Sequence, residues 1–374
     1  MRIALTNNYD IAGIRGMWLQ EGKNAPTQHL WGYAELCEMG HDVEIMPAPS
    51  SAWLKVVSRR LKVFGDIETQ WRIFLNASQY DVIYSAHHLS TATLSALRVL
   101  RILRVPVVAV AFQVPRRKGV LARLFTKIFV AGNDKILCLS RQCREDMAEL
   151  GVPAQRLAVA SWGVDLAHYH ISETSFAVQT PSKDPPLEPS QSAPPKPFLL
   201  SPGKAFRDFR SLAAGMAAIT RCDLVIAGVP SLATESYIVS SANIRVLKSF
   251  VPWRELLKIY ADAFAVLIPV DVGAGYFNNA VGLTNATEAL AFGKPILATR
   301  NPYLGFDVER EGVGLWVDPY DSGGWTKAIN VLLDNPDTCK RMGLKARALA
   351  ETHYNIQAFS GQVAAAVISV VQSP

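Results

Sequence analysis

The chain has 374 residues, of which 49% are hydrophobic and 19% charged, with a formal net charge of +6. That length suggests two domains, and that balance excludes a disordered chain. The charge is uneven, because residues 51–130 hold 13 Lys/Arg against 3 Asp/Glu, a concentration that suits an anionic membrane or a nucleic acid. The five cysteines, Cys37, Cys138, Cys143, Cys222 and Cys339, form no CxxC pair. They read as reduced, mostly buried thiols of a cytosolic protein. Met1 leads straight to Asn7-Asn8-Tyr9-Asp10 with no signal-peptide pattern, and no apolar run approaches the roughly 18–20 residues of a membrane span.

Arg2–Thr6 reads as a first buried strand. A helix is expected from about Pro26 to Met39, with Leu30, Tyr33, Ala34, Leu36 and Cys37 as its apolar face, ended by Gly40-His41. Strands are expected at 42–46, 80–84, 106–111 and 135–139, spaced by helical segments, which argues for a parallel sheet wound with helices. Residues 171–196 are crowded with proline and serine and read as a linker. The αβ rhythm then restarts, with strands expected at 198–201, 223–227, 244–247, 265–268, 295–298 and 314–317, and a final helix from about Gln357 to Val371. The division is 1–170, a linker at 171–196, 197–355 and a terminal helix within 356–374. The expected fold is α/β, with two doubly wound Rossmann-like domains facing a cleft, the default place for a ligand.

Two stretches of the second half carry chemistry. Gly282-Leu-Thr284-Asn285-Ala-Thr-Glu288-Ala-Leu-Ala-Phe-Gly293-Lys-Pro295 reads as a polar loop, a helix opening near Asn285, a turn and a strand. The free N–H groups and positive end of such a helix suit a phosphate, and Glu288, in the first turn or so, would reach a neighbouring ribose. An ordinary αβ unit with a surface glutamate is the alternative. Ser201-Pro202-Gly203-Lys204-Ala205-Phe206-Arg207-Asp208 follows a strand and precedes a helix expected at 211–219. Its glycine permits close approach, and Lys204 and Arg207 are placed to clamp a diphosphate, unless they are simply solvated cations.

In the first half, His29, His87 and His88 are candidates to contact an acceptor or a leaving phosphate, since imidazole titrates near neutrality. Residues 53–64, 97–104 and 115–129 mix apolar and cationic residues at roughly helical spacing, as segments lying in an anionic membrane surface do; packed helices with solvated cations are the alternative. The sequence has no HExxH, Cys/His quartet or Asp-x-Asp triplet, and no GxGxxG after the first strand, so metal and nicotinamide chemistry are not expected.

The 282–299 and 201–209 stretches resemble the donor-nucleotide motifs of retaining GT-B glycosyltransferases of family four. That resemblance implies transfer of a hexosyl group from a nucleotide-diphosphate sugar to a hydroxyl, with retention, without metal and with no cofactor besides the nucleotide sugar. It implies that Lys204 and Arg207 stabilise the leaving diphosphate, that Gly203, Gly282, Thr284 and Asn285 line it, and that Glu288 holds the ribose. The family's commonest pattern has a further glutamate at the position of Ala280, so sugar contacts would fall to the preceding loop, with Asn278 and Asn279 as candidates. Lys204 stands where Arg is commoner, and Gln113 lies near the place of a family histidine. Gly163-Val164-Asp165 matches the point where the first domain of such proteins ends, and the last helix would return to that domain. The acceptor would be a sugar or a lipid-linked hydroxyl, with peripheral contact to the inner face of a membrane and no nucleic acid. A sugar-nucleotide epimerase or hydrolase, or a non-catalytic binding paralogue, remains open on the same scaffold.

Overall fold

A computed structural model describes residues 1–60, 64–114, 120–170, 196–203, 206–247, 251–273 and 279–372. The expected linker lies outside them except for Lys196, as do Lys204, Asn278 and parts of two basic segments. The described chain forms two compact units, one of Met1–His168 with Asn278–Ala280 and His353–Pro374, the other of Tyr169–Phe277 with Val281–Thr352.

The first unit carries a parallel sheet of β1 (Arg2–Thr6), β2 (Asp42–Ile45), β3 (Val82–Ser85), β4 (Val107–Ala111), β5 (Lys135–Cys138) and β6 (Leu157–Val159). The spatial order is β2-β1-β3-β4-β5-β6, so the winding reverses between β1 and β3. β4 is buried along its whole length, the mark of a strand covered on both faces. Between the strands run α1 (Ile11–Gln20), α2 (Tyr33–Glu38), α3 (Ala52–Arg60), α4 (Ile67–Leu75), α5 (Ala92–Val99), α6 (Val120–Ala131) and α7 (Arg141–Glu149).

Two expectations are corrected here. The single helix over 26–39 is a short 3₁₀ turn at Gln28–Leu30 followed by α2, because Trp31 and Gly32 both adopt left-handed backbone angles, φ 55° and 85°. Cys37, assigned to the apolar face of that helix, is exposed, while the other four cysteines are buried thiols.

The second unit carries β7 (Phe198–Pro202), β8 (Asp223–Ala227), β9 (Ile244–Val246), β10 (Ala265–Ile268), β11 (Ile296–Thr299) and β12 (Gly314–Val317). Their order is β12-β11-β10-β7-β8-β9, all parallel, with the reversal between β10 and β7. The helices are α8 (Phe209–Met216), α9 (Ser236–Val239), α10 (Trp253–Asp262), α11 (Leu283–Ala291), α12 (Ser322–Asp334) and α13 (Pro336–Thr352). Asp208, not Ser211, opens α8: its carboxylate accepts the Ser211 N–H at 3.1 Å, a normal N-cap.

α14 (Ile356–Gln372) packs on α2, β3, β4 and β5 and so completes the first unit. Its entry is fixed by backbone: Val164 donates to the Tyr354 carbonyl and accepts from Ile356 at 2.9 Å. The polar anchor is a buried group of Glu35, Asp165 and Thr27, with the Thr27 hydroxyl 2.9 Å from Glu35 and 3.2 Å from Asp165. Ser360 of α14 donates to Glu35. Two carboxylates this close resist joint ionisation, and burial first, Asp165 among lesser causes, pushes the Glu35 carboxyl up. Gly163 admits this crossing, since a Cβ there would lie 1.9 Å from the Tyr354 carbonyl carbon. Gly163→Ala is therefore expected to lower the unfolding free energy by about 1–3 kcal/mol, read as the denaturant midpoint.

Candidate donor site

The reversal between β10 and β7 is where an open α/β sheet leaves a crevice at its carboxyl edge. Gly203 follows β7 there, and α11 begins after β10. The structure moves the helix start: α11 opens at Leu283 with Gly282 as its N-cap residue, rather than near Asn285. No side chain caps it, so the first amides, including those of Thr284 and Asn285, are oriented for an anion. Glu288 is consequently the sixth residue of the helix, two residues deeper than expected.

Its carboxylate does not stand at the surface. Glu288 is 8% exposed, and the Tyr260 hydroxyl of α10 donates to its Oε2 at 2.6 Å. Asn285, one turn earlier, donates from Nδ2 to the same hydroxyl oxygen at 3.2 Å. Its Oδ1 accepts from Arg207 Nη2 at 2.7 Å. A guanidinium, an amide, a phenol and a carboxylate thus form one unbroken chain. Burial lifts the Glu288 carboxyl to about 7, against the opposing hydrogen bonds from Tyr260 and Asn285. Burial also lowers the Arg207 guanidinium to about 10, still cationic at neutral pH. Tyr260 is pushed well above its usual range, first by burial and then by the Glu288 charge, and stays a neutral donor.

Backbone pairing holds Arg207 in place. It bridges Val270 in an antiparallel manner, Asp208 donates to the Pro269 carbonyl at 2.8 Å, and Asp271 donates to the Phe206 carbonyl at 2.9 Å. Gly203, at φ 95°, has no room for a side chain: a Cβ would lie 2.6 Å from Arg207 Nη2 and 2.7 Å from Asn285 Oδ1. Gly203, Arg207, Gly282, Thr284, Asn285 and Glu288 therefore gather at one sheet edge. Tyr260, which sequence reasoning missed, joins them; it lies on α10, and nothing in its local pattern marks its hydroxyl.

The remaining candidates lie in the first unit. Asn279 forms an isolated antiparallel bridge with Gln113, and Ala280 donates to the Phe112 carbonyl at 2.8 Å. His87 and His88 follow β3 at the other reversal point, stacked with centroids 5.8 Å apart. His87 meets the edge of Phe112 at 4.8 Å, and its Nδ1 lies 3.3 Å from the Ser90 hydroxyl. Burial lowers His87 to about 4 and, with the His87 charge opposing as well, His88 to about 3. Neither exchanges a proton near neutrality; as neutral rings they offer hydrogen bonds only. His29 is not with them. It sits in the 3₁₀ turn 6.2 Å from the Trp162 ring, its carbonyl accepting from Tyr9, and burial lowers its pKa too.

Two family models match the chain: Glycosyltransferase Family 4 over residues 33–168 and Glycosyl transferases group 1 over residues 204–349. A D-inositol 3-phosphate glycosyltransferase of Corynebacterium glutamicum is 37% identical over 101 residues, 27% of this chain and 22% of that protein. One of Nocardia farcinica is 33% identical over 99 residues, 26% and 20% of the two chains. The matched part is thus about a fifth of the length of these relatives. Among solved structures, sucrose-phosphate synthase from Thermosynechococcus elongatus superposes with a TM-score of 0.69 at 17% identity, covering 99% of both chains. Anabaena HepE in complex with UDP-glucose gives 0.66 at 14%, covering 99% of this chain and 100% of that one. Two parallel six-stranded sheets of this kind are the GT-B fold. The chain belongs to the GT-B glycosyltransferases.

Two measurements check this geometry. Gly203→Ala is expected to break the Arg207–Asn285 contact and weaken nucleoside-diphosphate binding at least about 10-fold by calorimetry, with the fold retained. The lowered histidines make the unfolded state bind more protons than the folded one between the ordinary imidazole value of 6.5 and about 3. Stability should therefore fall as pH drops through that window, and His87→Gln with His88→Gln should flatten the fall in acid-unfolding curves.

Proposed function

We propose that this protein moves a hexosyl group from a nucleotide-diphosphate sugar to a hydroxyl acceptor in polysaccharide or glycoconjugate synthesis, with retention and without a metal. The observation that carries the reading is the chain from Arg207 to Glu288 beside the uncapped start of α11. Departure of the diphosphate develops negative charge on its oxygens. The α11 amides and the Arg207 guanidinium, joined by Lys204, stabilise that charge more than they do the bound donor, which lowers the barrier. Glu288 accepts ribose hydroxyls through Oε1 while Tyr260 occupies Oε2. The sugar–oxygen bond to the leaving phosphate breaks as the acceptor oxygen bonds to the same face of the sugar, and the acceptor proton passes to that phosphate oxygen. Neutral His87 and His88 would then orient an acceptor without serving as the base. Structures sharing this fold hold UDP and UDP-glucose, which favours a nucleotide sugar as co-substrate.

A lipid-linked acceptor at an anionic membrane surface fits the first unit. A cavity of about 510 Å³ lies there, lined by Phe64, Ile67, Trp71, Phe74, Leu94 and Leu97. Trp53, Trp71, Leu75, Leu100 and Ile102 are exposed on the helices and turns of the same unit. Two of the cations counted toward this face are otherwise engaged: Arg98 grips Asp134 through two bonds of 2.9 Å, and Arg72 pairs with Glu68. Arg60, Arg101 and Arg104 are exposed. Among the described residues no helix is long and apolar enough to cross a membrane.

Glu288→Ala is expected to raise the donor KM about 10- to 100-fold or abolish turnover, and unchanged kinetics would remove its assigned role. Trp71→Glu should reduce co-sedimentation with anionic vesicles while leaving donor binding intact; equal sedimentation would count against the membrane reading.

A further inference from the structure

We propose that Tyr260 is a positioning residue that makes Arg207 and Glu288 act as one unit, so that the diphosphate and ribose ends of the donor site respond to a ligand together. The inference rests on the donor reading above and goes beyond it by assigning a coupling between two contacts that would otherwise be independent.

The direction of the hydrogen bonds carries the argument. A phenol has one hydrogen to give and lone pairs to accept with. Tyr260 gives that hydrogen to Glu288 Oε2 at 2.6 Å, which leaves its oxygen as an acceptor for Asn285 Nδ2 at 3.2 Å. With its amino end committed to Tyr260, the Asn285 amide presents its carbonyl oxygen to Arg207, at 2.7 Å from Nη2. Turned over, the amide would set its N–H groups against the guanidinium. The hydroxyl of Tyr260, together with the Glu288 carboxylate that Asn285 also reaches, thus sets which end of Asn285 faces Arg207. Tyr260 itself has little freedom to move: it is fully buried, and its ring stacks on Phe292 with centroids 5.8 Å apart and planes 17° apart. Gly203 leaves no slack on the other side of the Arg207–Asn285 contact.

The chain runs consistently from donor to acceptor only when Glu288 is ionised. A proton on Oε2 would compete for the phenol oxygen and reverse the local direction. The other ionisable groups about Glu288 and Tyr260 are few. Tyr169 raises Tyr260 slightly, Lys294 donates to the Ala261 carbonyl at 2.6 Å, and Arg347 of α13 donates to the Ala291 carbonyl at 2.6 Å at the far end of α11. A ribose hydroxyl donating to the carboxylate favours its ionised form, so donor affinity should fall as pH drops below about 7. Loss of the Tyr260 donor removes one of the bonds that hold this pKa down, so the fall should begin at higher pH.

The test uses the full chain and whichever of UDP, GDP, ADP or TDP it binds by calorimetry. Tyr260→Phe keeps the ring and its stacking. It should weaken that binding about 10-fold and move the acid limb of affinity upward by about half a pH unit or more. Asn285→Asp, which removes the amino donor, should weaken binding by a similar factor. In a double-mutant cycle, Arg207→Lys and Glu288→Gln should be non-additive with Tyr260 present and additive in the Tyr260→Phe background. An unchanged pH limb in Tyr260→Phe, or additivity with Tyr260 present, overturns the coupling. If no nucleoside diphosphate binds, or if Arg207→Lys and Glu288→Gln each leave binding unchanged, the donor reading itself fails.

Discussion

A carboxylate withdrawn from water needs a donor close at hand, and the 2.6 Å bond from Tyr260 to Glu288 meets that need. Much of the second unit's site follows from it. α10 must bring Tyr260 against α11, which the packing of Tyr260 on Phe292 achieves. Asn285 must then turn its amino group inward and its carbonyl outward. Arg207 can reach that carbonyl only because the residue after β7, Gly203, has no side chain. Each contact is ordinary in strength, but they are serial, so displacing one disturbs the next.

The first unit is organised differently. Its reversal point is lined by neutral, buried imidazoles and the edge of Phe112 rather than by a charged relay. Its stability depends on a segment remote in sequence, with α14 laid on β3, β4 and β5 and anchored at Glu35 and Asp165. The contrast agrees with a division of labour between a unit that meets phosphate charge and one that meets a less charged molecule.

Eleven of the twelve strands could be read from the sequence to within two residues, because buried parallel strands appear as short apolar runs between polar punctuation. β6 escaped, being only three residues long with an exposed end. The helix expected over 26–39 failed because the left-handed backbone at Trp31 and Gly32 is a tertiary outcome that apolar spacing does not encode. Gly203, Arg207, Asn285 and Glu288 were visible as motif residues, since glycine, cation and carboxylate each carry their chemistry in the residue type. Tyr260 was not, because its role depends on a contact across 28 residues of sequence. The burial of His87 and His88, which removes them as bases, likewise depends on packing rather than on identity.

The placement of residues 353–372 has a consequence for how the protein is made. The second unit draws almost all its residues from one stretch, Tyr169 to Thr352, and so has nearly everything it needs once that stretch has left the ribosome. The first unit is translated earlier but lacks α14, whose apolar face covers β3, β4 and β5. During synthesis the earlier-made half must therefore wait, with part of its sheet uncovered, for a helix translated only after the second unit, and it is the half exposed to chaperones and proteases for longer.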